Sequence, residues 1–281
     1  MSNKKLINIM SGVFVVILLT ALGFFIYDQY MERNFVPSPD LVREPVPPQA
    51  APPRPDRVDP PQPIEEPLSE NDNENSEPEY VPPPPPERDL LPRVIQLREY
   101  YGNPDIVGYL YIPNTNISYP VVQTGNNDFY LDYDIYLQPC RYGTVFVDYA
   151  ANIHELWDDN TIIFGHNTRY GNKFHNIRNF HRADYFNARR YIYLTTPHAE
   201  TVWETFSIFP TTTQYPSRDY MITNFPTIEM FYEFMLYLQS RSLHTTDVEL
   251  TKNCQILILS TCATNNRARI NRYILVARLV R

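Results

Sequence analysis

Glycine is scarce in this chain, with 8 in 281 residues and none between Asp28 and Pro92. No Gly-rich phosphate loop, no His-Glu-x-x-His pair and no paired-cysteine zinc spacing can be found, so neither a nucleotide nor a metal cofactor is expected. Cysteine is rarer still. Cys140, Cys254 and Cys262 are too few for a disulfide-stapled scaffold. Cys140 and Cys254 could bridge outside a cell, whereas Cys254 and Cys262 in one extended strand lie roughly 26 Å apart, beyond disulfide reach. Positive charge is not in surplus. The formal net charge is −8, but the segment Asp28–Pro92 alone holds 15 Asp and Glu against 5 Lys and Arg. With Lys4 and Lys5 ahead of it, residues 93–281 come out neutral. The acidity belongs to a segment, and a neutral remainder gives no argument for a nucleic-acid partner, so none is expected.

What is present divides the chain into four parts. Residues 1–5 are a short basic N-terminus. Leu6–Tyr27 is 22 residues without a charge, rich in Val, Ile, Leu and Phe, and a membrane-spanning helix needs about 20. Lys4 and Lys5 before it put the N-terminus in the cytoplasm and the remainder outside. A cleaved signal peptide is the rival, with Thr20-Ala21-Leu22-Gly23 as its small-residue patch, although such a peptide usually has an apolar core of only about 7–15 residues. Residues 28–92 read as a spacer: 19 of the 27 prolines lie between Pro37 and Pro92, including the run Pro82 to Pro86. Proline favours extended polyproline II, so the 56 residues from Pro37 to Pro92 could span roughly 170 Å. A proline-binding partner is the other reading of such a run.

Residues 93–281 have the length of one domain. Val94–Tyr101 has helical spacing and stops at Gly102. Thereafter short β-branched and aromatic runs predict strands at 107–112, 117–123, 144–148, 161–164, 191–195, 201–209, 255–261 and 273–279. Eight such strands predict a mainly β domain with flanking helices, its sheet a closed or nearly closed barrel. One helix interrupts the late strands: Thr227 is its N-cap, Glu229 sits in its first turn, and Ile228, Phe231, Phe234, Met235 and Leu238 form an apolar stripe.

The chemistry starts from Gln255-Ile256-Leu257-Ile258-Leu259-Ser260-Thr261-Cys262, an apolar strand whose mouth is a cysteine. A thiol can be buried filler, but a thiolate nucleophile needs a base close by. His154, His175, His181, His198 and His244 lie in polar or helical surroundings that suit solvated surface roles. His166 follows the apolar run Thr161-Ile162-Ile163-Phe164, just past its end, with Gly165 letting the chain turn. Arg272 opens the strand after the cysteine, so antiparallel pairing would bring it to the same rim as a donor for a developing oxyanion. Arg267 and Arg269 fall in the connection.

Leu259-Ser260-Thr261-Cys262, with Arg272 ten positions on and Ile163-Phe164-Gly165-His166-Asn167 upstream, resembles the sortases, specifically class B. The resemblance extends through Gly108–Pro113, Tyr119–Gln123, Asn127–Leu131, Tyr142–Asp148 and the helix from Thr227. It covers about residues 93–281, and it implies a sortase-like β-barrel cysteine transpeptidase on a Gram-positive cell surface. Cys262 would attack the carbonyl of a threonine in a C-terminal sorting signal, giving a thioacyl-enzyme. His166 would protonate the leaving amine and Arg272 would hold the oxyanion. The acceptor amine would belong to a peptidoglycan precursor or a pilin lysine. By motif position Asn127, Leu131, Ser260, Thr261 and Tyr220 would bind substrate. The chain departs from the family at Ile258, where threonine is usual, at Ala263-Thr264-Asn265-Asn266, and in its long proline spacer. Two other readings stand beside this one: a cell-wall cysteine peptidase, and a non-catalytic surface-binding module on a polyproline stalk.

Overall fold

The computed structural model describes residues 90–153, 159–168, 172–212, 219–262 and 271–280. The expected membrane segment and all but the last three spacer residues therefore lie outside the described residues, as do His154, Arg267 and Arg269. Among the described residues no helix is long and apolar enough to cross a membrane.

The described chain opens with helix α1 (Pro92–Tyr101), which has proline in its first turn and Gly102 beyond its end at φ 63°. Proline there gives up only an N–H that has no helical partner, and glycine takes the left-handed turn without steric cost. Strands β1 (Ile106–Tyr111), β2 (Ser118–Val122), β3 (Phe146–Val147) and β4 (Asn160–His166) follow, then a 3₁₀ stretch His175–His181 and helix α2 (Ala183–Ala188). Strands β5 (Tyr191–Thr195) and β6 (Glu200–Thr212), helix α3 (Ile228–Ser240), β7 (Ile256–Cys262) and β8 (Asn271–Leu279) complete it. The strands close into a barrel in the order β1-β2-β3-β4-β7-β8-β6-β5.

Eight strands and a barrel match the sequence pattern. The differences are at the ends. β4 and β8 run two residues further than their apolar cores, taking His166 and Arg272 into the ladder, because cross-strand hydrogen bonds continue where side-chain hydrophobicity stops. β3 shrinks to two residues. The 3₁₀ stretch and α2 carry no strong periodicity. They are held by tertiary burial of Ile177, Phe180 and Phe186.

Strand residues alternate between two apolar clusters. One contains Ile162, Phe164, Ile256, Ile258, Ile274 and Val276 and takes in Leu97 of α1 and Phe231, Phe234, Met235 and Leu238 of α3. The other contains Ile163, Leu257, Leu259, Leu275, Trp203 and Phe174. β7 supplies both, and Ile256 to Leu259 have no solvent exposure. At about 1.5–3 kcal/mol for each fully buried aliphatic side chain, this short run anchors the barrel. α3 starts as expected: Thr227 Oγ1 accepts a hydrogen bond from the Met230 N–H at 3.2 Å, a cap worth about 1 kcal/mol.

Candidate active site

β4 and β7 are parallel neighbours in unbroken register from Asn160↔Ile256 to His166↔Cys262. Adjacent strands lie about 4.8 Å apart, so the backbone seats the histidine and cysteine side by side where both strands end. β7 and β8 are antiparallel, with Ile256 opposite Arg278 and Ser260 opposite Ile274. The ladder ends at that pair, and positions 262 and 272 lie two residues beyond it on the two strands. Alternation then puts positions 166, 262 and 272 on the barrel face that carries Ile162, Ile258 and Ile274. Three strand ends meet at one place.

His166 is largely enclosed. Its Nδ1 is buried with no hydrogen-bond partner among the described residues. Burial first, then the positive charges of Lys173 and Arg272, with Asp132 opposing them, together push its pKa down to about 4. A protonated ring would hold an N–H without an acceptor in a poorly solvated place. At neutral pH the imidazole is therefore uncharged. Among the described residues no carboxylate is hydrogen-bonded to its Nδ1.

The segment after His166 pins it instead. The Phe174 N–H donates to the His166 carbonyl at 2.9 Å, and Lys173, at φ 55°, donates its N–H to the Tyr119 hydroxyl at 2.9 Å. A Cβ on Gly165 would sit 2.6 Å from the Phe174 ring. Gly165 is thus needed inside β4 for the close approach of that ring, not for the chain turn its position suggests.

Arg272 is half-buried, and its Nη1 donates to the Tyr220 hydroxyl at 3.4 Å. It makes no ion pair among the described residues. Tyr220 and Ser260 are enclosed beneath it, their oxygens 3.3 Å apart. Thr261 lies on the opposite side of the β7 wall, buried, and its Oγ1 accepts from the Tyr273 N–H at 2.9 Å. Asn127 braces a loop: its Nδ2 donates to Asp148 Oδ2 and its Oδ1 accepts from the Tyr149 N–H, both at 2.9 Å. Leu131 packs at the edge of the first apolar cluster, in the turn that carries Asp132 towards His166.

Sequence reasoning passed over Asp132, Lys173 and Phe174. Asp132 and Lys173 act on His166 through space, from loops with no apolar pattern to betray them. Two other histidines also differ from a solvated role. His175 Nδ1 bonds Asn167 Oδ1 at 2.9 Å. His244 Nε2 donates to the Phe180 carbonyl at 2.9 Å, and its ring packs on Phe186. Tertiary partners claim both. Cys140 and Cys254 are unbridged. Among the described residues no group of His, Cys, Asp and Glu could hold a metal ion.

Three comparisons with known proteins agree with this geometry. A family model described as the sortase domain matches residues 110–280. Sortase B of Listeria monocytogenes is 32% identical over 178 residues, 63% of this chain and 71% of that protein. Among solved structures, the Staphylococcus aureus sortase B–substrate complex superposes with a TM-score of 0.63 at 25% identity, covering 69% of this chain and 87% of that one. Sortase B of Clostridium perfringens superposes with a TM-score of 0.61 at 29% identity, over 66% and 99% respectively.

Proposed function

The chain belongs to the sortase family of cysteine transpeptidases, on its class B branch, and from that premise we propose that it joins surface proteins to a cell-wall amine. In this reading Leu6–Tyr27 is an uncleaved single-pass anchor, residues 28–92 are an extracellular spacer, and residues 93–281 are the catalytic domain. The observation that carries the reading is the His166↔Cys262 register, with Arg272 entering the same rim from β8.

Neutral His166 takes the Cys262 thiol proton as sulfur attacks the carbonyl carbon of a threonine in the sorting signal. Arg272 donates hydrogen bonds to the oxyanion that forms. The peptide C–N bond then breaks, and His166 returns the proton to the leaving amine, leaving a thioester on Cys262. An acceptor amine attacks that thioester, His166 removes its extra proton, and the departing thiolate takes that proton from His166, which restores the thiol and the neutral imidazole. Atoms and charge balance without a cofactor. The acceptor is an amine of a peptidoglycan precursor or a pilin lysine. Asn127 and Leu131 make up the substrate side, while Ser260, Thr261 and Tyr220 are buried behind it and reach the substrate only through the groups they support.

The test is to give the purified full-length chain a panel of sorting-signal peptides together with candidate amines and to identify products by mass. Cleavage between threonine and the next residue, with the threonyl fragment joined to an amine, is the expected result. Hydrolysis that no amine diverts, or no cleavage at all, would overturn the reading.

A further inference from the structure

Tyr220 and Ser260 are respectively 1% and 0% exposed, so as the chain stands neither offers a surface to a peptide. Both nevertheless sit against the site. The Tyr220 hydroxyl lies 3.4 Å from Arg272 Nη1 and 3.3 Å from Ser260 Oγ. Guanidinium has donors only, so the phenol oxygen must accept from Arg272. The phenol and the Ser260 hydroxyl form the second contact, in which either oxygen can donate.

The platform under the phenol is itself held. Tyr220 sits in the 3₁₀ turn Asp219–Met221. Arg241, just beyond the end of α3, donates through Nη1 to both oxygens of Asp219 at 3.0 and 3.2 Å, and Tyr237 of α3 also donates to Asp219. Ser260 is fixed within β7, opposite Ile274 on one side and Phe164 on the other. Arg272 has much less to hold it. Its Nε is buried without a partner, and the phenol supplies the one hydrogen bond to its guanidinium among the described residues.

We propose that Tyr220 is a positioning residue, which acts through Arg272 by aiming its guanidinium, with Ser260 as the phenol's other hydrogen-bond partner. This rests on the oxyanion role proposed for Arg272. The helix α3 enters the site by the same route, through Asp219 and Tyr220. Both hydrogen bonds are long, so the expected effect is moderate.

A double-mutant cycle on the full-length chain tests it, comparing wild type, Tyr220→Phe, Arg272→Ala and the double variant. Peptide transpeptidation, alkylation of Cys262 by iodoacetamide, and thermal stability are the readouts. Tyr220→Phe is expected to lower kcat about tenfold with KM little changed, the size of one hydrogen bond to a charged group. Iodoacetamide should react at the wild-type rate, because the nucleophile is untouched. In the Arg272→Ala background the same change should cost nothing further. An undiminished tenfold loss there, a parallel fall in alkylation, or no loss in Tyr220→Phe alone would overturn the positioning role. Full activity in Arg272→Ala would instead overturn the oxyanion reading. Should Tyr220→Phe fail to fold, Ser260→Ala takes its place in the cycle. It is expected to cost about threefold and nothing in Arg272→Ala, and an equal loss in both backgrounds would sink the proposal.

Discussion

β8 carries two arginines on one face, six residues apart, and the barrel treats them in opposite ways. Arg278, at the far end, donates to Glu204 at 3.0 Å, and Glu204 is gripped again by Arg190 at 2.8 Å, itself tied to Asp247 at 2.7 Å. Arg272, at the rim with His166, meets a neutral phenol at 3.4 Å and no carboxylate among the described residues. Histidine follows the same division: His244 has a backbone carbonyl for its Nε2, while His166 keeps a bare, buried Nδ1. Charge at one end of the barrel is spent on structure. At the other it is left uncommitted, where a developing oxyanion and a mobile proton can use it.

That contrast can be broken most severely at the strand ends. Cys262→Ala should abolish acyl transfer and His166→Ala should nearly do so, while circular dichroism reports an intact fold. A folded Cys262→Ala variant that still turned over peptide would remove the site from this rim. Next comes the arginine pair itself. Arg272→Ala should lose about 3–4 kcal/mol of transition-state stabilisation, a fall of about 10²–10³ in kcat/KM. Arg278→Met should leave kcat/KM alone and cost about 1 kcal/mol in denaturant unfolding, since Glu204 retains Arg190. The reverse pattern would show that the wrong arginine has been chosen, and activity lost only in Arg269→Ala would point to its replacement.

A third measurement sharpens the state of His166. Its folded pKa, near 4, lies below its ordinary value of 6.5. Between those values the unfolded chain binds a proton that the folded chain refuses, so stability is whole above pH 6.5 and falls as the pH drops towards 4. The loss should reach about 3 kcal/mol at pH 4. His166→Gln should flatten that stretch of the curve, and an unchanged slope would show that other groups produce it. The smallest effect concerns the pin behind the histidine. Gly165→Ala should destabilise by about 1–3 kcal/mol, because the added methyl overlaps the Phe174 ring. Phe174→Leu in the same chain should recover part of that loss.

Much of this was legible before any coordinates. The run Ile256 to Leu259 reads as a buried strand, with Cys262 just past the point where the apolar side chains end. Thr227 and the stripe from Phe231 to Leu238 described α3 down to its cap. Other features were not legible, each for a physical reason. His175 and His244 sit in polar sequence, yet Asn167 and the Phe180 carbonyl, far along the chain or across a turn, claim their rings. The closeness of Phe174 to Gly165 is a van der Waals contact that no periodicity encodes. Tyr220 read as a substrate residue because its motif position says nothing of its burial.

Local preference and hydrophobic alternation are one-dimensional properties, and they settled which segments are strands, where α1 ends and α3 begins, and which side chains end the apolar runs. The order in which strands pair is not such a property. The parallel register that sets His166 beside Cys262 joins residues 96 positions apart. The phenol beneath Arg272 comes from a turn 52 positions before it. Backbone hydrogen bonding and core packing, not the residues at the rim, decide those distances, and so only the closed barrel could turn three strand ends into one site.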